Sequence, residues 1–131
     1  MPDMSRTPDG LIKWHKFVAE NDVQMLEEAL ADTVIFHLPF VWRPIQGKME
    51  AMRYLKSAAR VLGDFTYHRQ FVSDDSVTLE FSARVGELHV KGVDLLQFDH
   101  EGRIIDFEVM VRPANGLQAL GAAMVEQLKH M

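Results

Sequence analysis

No cysteine occurs among the 131 residues, so disulfides, thiolate nucleophiles and cysteine-based metal sites are excluded together. No apolar run approaches the ~20 residues that a membrane-crossing helix needs. The first residues, through Gly10, are polar and acidic, without the apolar stretch of a secretory leader. These absences set the expectation of a cytoplasmic protein with no membrane partner. Basic clusters are lacking too. With 14 Lys and Arg against 19 Asp and Glu, the net charge is -5 and nucleic acid finds no electrostatic footprint. No two of the histidines (His15, His37, His68, His89, His100 and His130) stand four apart as in a zinc helix, so no metal is expected. G-x-S-x-G, Walker A and G-x-G-x-x-G patterns are missing as well, and the expected chemistry uses no cofactor.

What is present is an ordinary folding composition, 47% hydrophobic and 25% charged, without linker or repeat, which reads as a single domain over residues 1–131. Leu11, Trp14, Phe17 and Val18 share a helical stripe. Asn21 and Asp22 supply stop and N-cap chemistry before a second short helix carrying Val23, Leu26 and Leu30. The β-branched and aromatic run Thr33 to Leu38 reads as a strand, followed by a loop bracketed by Pro39 and Pro44. Gly47 releases a third helix with Met52, Leu55, Ala59 and Leu62 on its main stripe and Ala51, Tyr54, Ala58 and Val61 beside it. Strands follow from Phe65. A last helix carries Leu117, Leu120, Met124 and Leu128, and the class is α+β.

Within the strands, one residue breaks the apolar alternation. Leu88, Val90, Gly92, Asp94, Leu96 and Phe98 occupy one face by period two, and Asp94 is the ionisable member. Gly86 and Glu87 read as a type II′ hairpin turn, which pairs Val85 with Leu88 and Leu79 with Asp94. A four-residue turn from Asp99 to Gly102 would pair Phe98 with Arg103 and place Phe107 opposite Asp94. A carboxyl between Leu79 and Phe107 loses hydration, which raises its pKa and keeps it neutral near neutral pH as a hydrogen-bond donor. A structural aspartate bonded to Trp14, Tyr54 or backbone is the plainer reading of the same position.

The order helix, helix, strand, long helix and antiparallel sheet resembles the nuclear transport factor 2-like superfamily, in particular its SnoaL-like branch. The stretch from Gly92 through Pro113, GVDLLQFDHEGRIIDFEVMVRP, carries the likeness best, with LADTVIF from Leu30 to Phe36 and the helix entry from Gly47 to Leu55. The resemblance implies a cone-like fold in which a curved antiparallel sheet wraps a long helix around a cavity, and a homodimer formed through the outer sheet face. Ketosteroid isomerase is a distant relative within that superfamily. Asp94 falls at its oxyanion position, while Leu38 stands where the isomerases keep their proton-moving carboxylate and Trp14 where they keep a tyrosine. Limonene-epoxide hydrolase fits less well, because Glu108 and Val109 replace its final Arg and Asp.

His37, beside Leu38, is the candidate replacement base, with an ordinary pKa near ~6.5 suited to proton transfer. Strand parity sends His37 outward unless a bulge or the Pro39 bend turns it in. Trp14, Trp42, Tyr54, Leu79 and Phe107 are the expected lining of an apolar pocket, with Trp42 as its lid. Two readings remain open. One is an enzyme without a cofactor, an isomerase, lyase, cyclase or hydrolase, acting on an apolar, oxygen-bearing small molecule with Asp94 and His37 as catalytic pair. The other is a non-catalytic ligand-binding or dimeric interaction module of the same fold.

Overall fold

The computed structural model describes residues 7–130. Helix α1 (Asp9–Glu20) buries Gly10, Leu11, Trp14 and Phe17 on one stripe and stops at Asn21, whose left-handed backbone lets its N–H reach the Phe17 carbonyl. Asp22 then caps α2 (Val23–Ala29), its Oδ1 accepting from the N–H groups of Gln24 and Met25. The chain passes straight from α2 into β1 (Leu30–His37), so this strand starts three residues before the β-branched run that reveals it.

After the proline-bounded loop comes a strand too short for its pattern to show, β2 (Ile45–Gln46), which pairs with β1. Helix α3 (Lys48–Val61) buries Ala51, Leu55 and Ser57, so its inward face is turned away from the expected stripe and leaves Ala59 exposed. Long strands follow: β3 (Gly63–Ser73), β4 (Ser76–Val85), β5 (Leu88–Phe98) and β6 (Ile104–Arg112). Helix α4 (Ala114–Leu128) closes the described chain, burying Gly116, Leu120 and Met124. A Cβ at Gly116 would stand 2.5 Å from Val90 Cγ1, so glycine is what lets this helix sit close to the sheet.

The six strands form one curved sheet in the order β2-β1-β6-β5-β4-β3. It is mixed rather than wholly antiparallel, because β1 runs parallel to β6 while its other neighbour, β2, is antiparallel. Helices against this sheet make the expected α+β cone, and the side chains of α1, α3 and the inward strand faces pack into one apolar core.

Register is where the two hairpins diverge. Gly86 adopts a positive φ of 59° at the first central position, and Val85 pairs with Leu88 and Leu79 with Asp94, as the turn chemistry requires. The next turn holds an extra residue. Asp99 Oδ1 accepts from the N–H groups of Glu101 and Arg103, Phe98 pairs with Ile104, and Gln97 then pairs with Asp106 across a bulge. Every pair beyond the bulge is displaced from the simple count. Val109, rather than Phe107, is therefore opposite Asp94, and Phe107 faces Leu96.

Candidate functional site

A cavity of about 220 Å³ lies between the sheet and the helices. Trp14 and Phe17 of α1, Leu55 and Ala58 of α3, Leu120 and Met124 of α4, and Phe36, Phe81, Phe107 and Val109 of the strands supply its apolar walls. Asp94 is the one carboxyl in this lining, and its side chain is all but sealed, at 4% exposure. The strand places it there by parity: Val90, Leu96 and Phe98 bury on the same face.

Asp94 is held by a chain of two hydrogen bonds. Tyr67 on β3 donates its hydroxyl to Asp94 Oδ2 at 2.5 Å, and Trp14 Nε1 donates to the Tyr67 oxygen at 2.8 Å. Asp94 Oδ1 has no hydrogen-bond partner among the described residues. Burial penalises the charged form and lifts the Asp94 carboxyl from an ordinary 3.8 to about 7, against the opposing pull of the Tyr67 hydroxyl. Burial and then the Asp94 charge push the Tyr67 phenol well above its usual range, although the Trp14 hydrogen bond acts the other way. The tyrosine accordingly stays a donor and the aspartate is the group that titrates.

Gly92 makes room for this arrangement. It pairs with Phe81 across the β4–β5 ladder, and a Cβ on it would meet the Phe81 ring at 2.7 Å and the Met110 carbonyl oxygen at 2.2 Å. Phe81 stacks on Phe65, whose ring in turn lies edge-on to Tyr67 with centroids 4.9 Å apart. An aromatic shelf therefore fixes the hydroxyl that fixes the carboxyl.

The other expected site residues divide clearly. Trp14 and Phe107 line the cavity, although the Trp14 N–H is spent on Tyr67 rather than left for a ligand. Leu79 is buried opposite Asp94, beneath the cavity wall rather than in its lining. Tyr54 packs half-buried against the core and is likewise outside the lining. Trp42 is 98% exposed and borders a surface groove with Phe40, Leu117 and Gly121 rather than the Asp94 cavity, which corrects its placement as a lid. His37 is corrected too: β1 keeps regular parity there, so the imidazole lies on the outer face and its Nε2 sits 3.2 Å from Asp106. Leu38 lines the cavity in its stead.

Tyr67 is the residue that sequence reasoning passed over. The alternation of Phe65 and Tyr67 is short, because the polar run His68, Arg69 and Gln70 follows and the rest of the strand is exposed. An aromatic with a polar tip, two residues after a phenylalanine and facing the same way as Asp94, was the signal available. Among the described residues no three His, Asp or Glu side chains gather to hold a metal, and no helix is long and apolar enough to cross a membrane.

The family model for the SnoaL-like domain matches residues 11–107, a span that holds Trp14, Tyr67 and Asp94. The chain belongs to the SnoaL-like family. Within the wider nuclear transport factor 2-like fold, this SnoaL-like protein is similar to a crystal structure described as a steroid delta-isomerase from Pseudomonas aeruginosa. The identity there is 42%, over 99% of this chain and 96% of that one, with a TM-score of 0.93. A protein of cystatin-like fold from Silicibacter pomeroyi is 31% identical over 95% of this chain and 87% of that one, with a TM-score of 0.88. No protein of curated function matches the SnoaL-like chain.

Proposed function

We propose that the cavity is an active site without a cofactor, isomerising or cyclising an apolar molecule that carries a carbonyl or hydroxyl oxygen. One observation carries this reading: a sealed carboxyl with a pKa near 7 lines an otherwise apolar cavity and keeps one oxygen unpartnered. In its neutral form Asp94 donates from that side to the substrate oxygen, while Oδ2 accepts from Tyr67. Charge developing on the substrate oxygen is met by a donor already in place, in surroundings where water does not compete. A pKa near the working pH also suits the same group to give up a proton and recover it. The name of the Pseudomonas aeruginosa relative, a steroid delta-isomerase, supports an isomerase over a lyase or hydrolase.

The second reading, a ligand-binding module in which no proton moves, is favoured by Leu38 in the cavity wall and His37 outside it, which leave Asp94 without a second titrating carboxyl or imidazole. A homodimer through the outer sheet face belongs to either reading. Met110, half exposed on that face beside Val93, Lys91 and Arg112, would be covered by it. A cytoplasmic location belongs to the same proposal, with neither nucleic acid nor membrane as partner, since the net charge of -5 gives nucleic acid no electrostatic footprint and no helix among the described residues is long and apolar enough to cross a membrane.

The test is a thermal-stabilisation screen of ring ketones and epoxides, followed by turnover assays on every binder with wild type and Asp94→Asn. Turnover that falls at least about a hundred-fold in the variant supports the enzyme. Binding without turnover of any ligand leaves the module. Unchanged ligand affinity in Asp94→Ala removes Asp94 from the site altogether.

A further inference from the structure

The cavity lining holds a second charge, of opposite sign. Arg60, in the last turn of α3, and Asn21, at the end of α1, are exposed residues that border an otherwise apolar wall of Val18, Ala59 and Leu62. Arg53, Arg69, Arg84 and Arg103 each have a carboxylate partner, whereas Arg60, like Arg43 and Arg112 elsewhere, has none among the described residues, and of these three it is the one in the cavity lining. Nor does the Asn21 side chain make a hydrogen bond among them; only its backbone is engaged, in the helix stop. The rim thus offers a guanidinium and a carboxamide with their donors free. Asp94 lies sealed in the wall, 4% exposed.

Size narrows the occupant further. At about 220 Å³ the cavity falls below the ~300 Å³ at which pockets for drug-sized ligands begin, so it takes one or two rings. A fused four-ring body would leave rings outside the mouth.

We infer that the ligand of this cavity is a small amphipathic acid: an apolar body of one or two rings, an oxygen that meets Asp94, and a carboxylate at the rim against Arg60 and Asn21. The inference rests on the proposed site and names its substrate class. A guanidinium receives a carboxylate through two parallel N–H bonds, and Asn21 supplies a further donor. Helix α1 and helix α3 both end at this rim, and their carbonyl ends repel an anion, so the free guanidinium is what makes the position acceptable to one. A cation in the last turn also favours α3 itself. That role contributes to stability and is blind to the charge of a ligand.

The experiment uses two probes, a cyclohexanone bearing a carboxylate on the ring carbon opposite the ketone and the methyl ester of that acid. Both are titrated calorimetrically into the full chain at low ionic strength. Expected is an acid bound about ten-fold more tightly than its ester by the wild type. Arg60→Gln should erase that preference by weakening the acid about ten-fold while moving the ester's affinity far less, and Arg60→Lys should restore part of it. Asp94→Ala, which removes the donor that an asparagine would retain, should weaken both probes alike. Equal affinity for acid and ester in the wild type, with both weakened by Asp94→Ala, overturns the acid and leaves the site standing. Affinities that Asp94→Ala does not alter, or binding of neither probe, overturn the site reading and the acid with it. A fall in the thermal midpoint of Arg60→Gln with the acid preference intact would assign Arg60 to the helix end alone and sink the inference.

Discussion

Replacing Asp94 by asparagine should make the protein more stable above neutral pH, and the size of the gain follows from the site. The folded carboxyl titrates at about 7, against 3.8 for an ordinary aspartate. Because the folded state holds the proton more tightly, the contribution of this group to stability is fully present below the lower value and is lost as pH rises through the higher one. Each pH unit between them is worth about 1.4 kcal/mol, so the ionised form costs the fold about 4 kcal/mol, an upper bound for a structure that does not relax. Asparagine has the same shape, accepts from Tyr67 and carries no charge. The stability difference between variant and wild type should therefore move in favour of the variant by roughly 3 kcal/mol between about pH 5 and about pH 8. Urea unfolding of both proteins across that range measures it. Taking the difference cancels the histidines, which titrate in both. Glu80, held down to about 2 by hydrogen bonds from Arg69 and then Lys91 against its burial, titrates below the window, because its contribution is present above its ordinary 4.5 and fades only as pH falls through about 2. Stability curves that stay parallel from acid to alkaline pH would refute the burial argument, and with it the neutral donor at the heart of the site.

Tyr67→Phe removes the hydrogen bond that lowers the Asp94 pKa, so the carboxyl resonance in a carbon NMR titration should shift at a higher pH than in wild type. The same change strands the Trp14 N–H and should cost about 1–3 kcal/mol in chemical unfolding. His37→Ala breaks a half-exposed pair with Asp106 and should cost at most about 1 kcal/mol, with turnover of any identified substrate unchanged. Gly92→Ala should lower the thermal midpoint, because its methyl group meets a backbone carbonyl and the Phe81 ring, a crowding worth about 1–3 kcal/mol. Trp42→Ala should leave ligand affinity unmoved and stability within about 0.5 kcal/mol.

Legibility from sequence follows the range over which each determinant acts. The Gly86 turn and the alternation of β4 and β5 are local, so the pairing of Leu79 with Asp94, and the burial of that aspartate, were readable in advance. The β5–β6 register was not, because a side-chain-capped turn at Asp99 and the bulge after Ile104 together alter the count that loop length implies. The outward face of His37 was readable by parity, and neither a bulge nor the Pro39 bend turns the imidazole inward, so the replacement base that depended on one of them is not in the cavity. Tyr67 required tertiary knowledge: it reaches Asp94 only because Gly92 lets Phe81 settle and the strands curve. The orientation of α3 was obscured for a simpler reason, since its apolar residues surround so much of the helix that several stripes fit equally well.

The two hydrogen bonds behind Asp94 span 53 and 27 residues of chain, joining the first helix to strands near the middle and toward the end. Contacts of such sequence separation must await the closing of long loops, which is slow and entropically costly. A nascent β4–β5 hairpin would carry Asp94 with water around it and the acidity of a free side chain. Only when α1 docks and β3 is zipped into place does that carboxyl become a weak acid. Its titration midpoint is thus a gauge of complete assembly, and a refolding experiment followed by proton uptake near neutral pH should register the last step rather than the first.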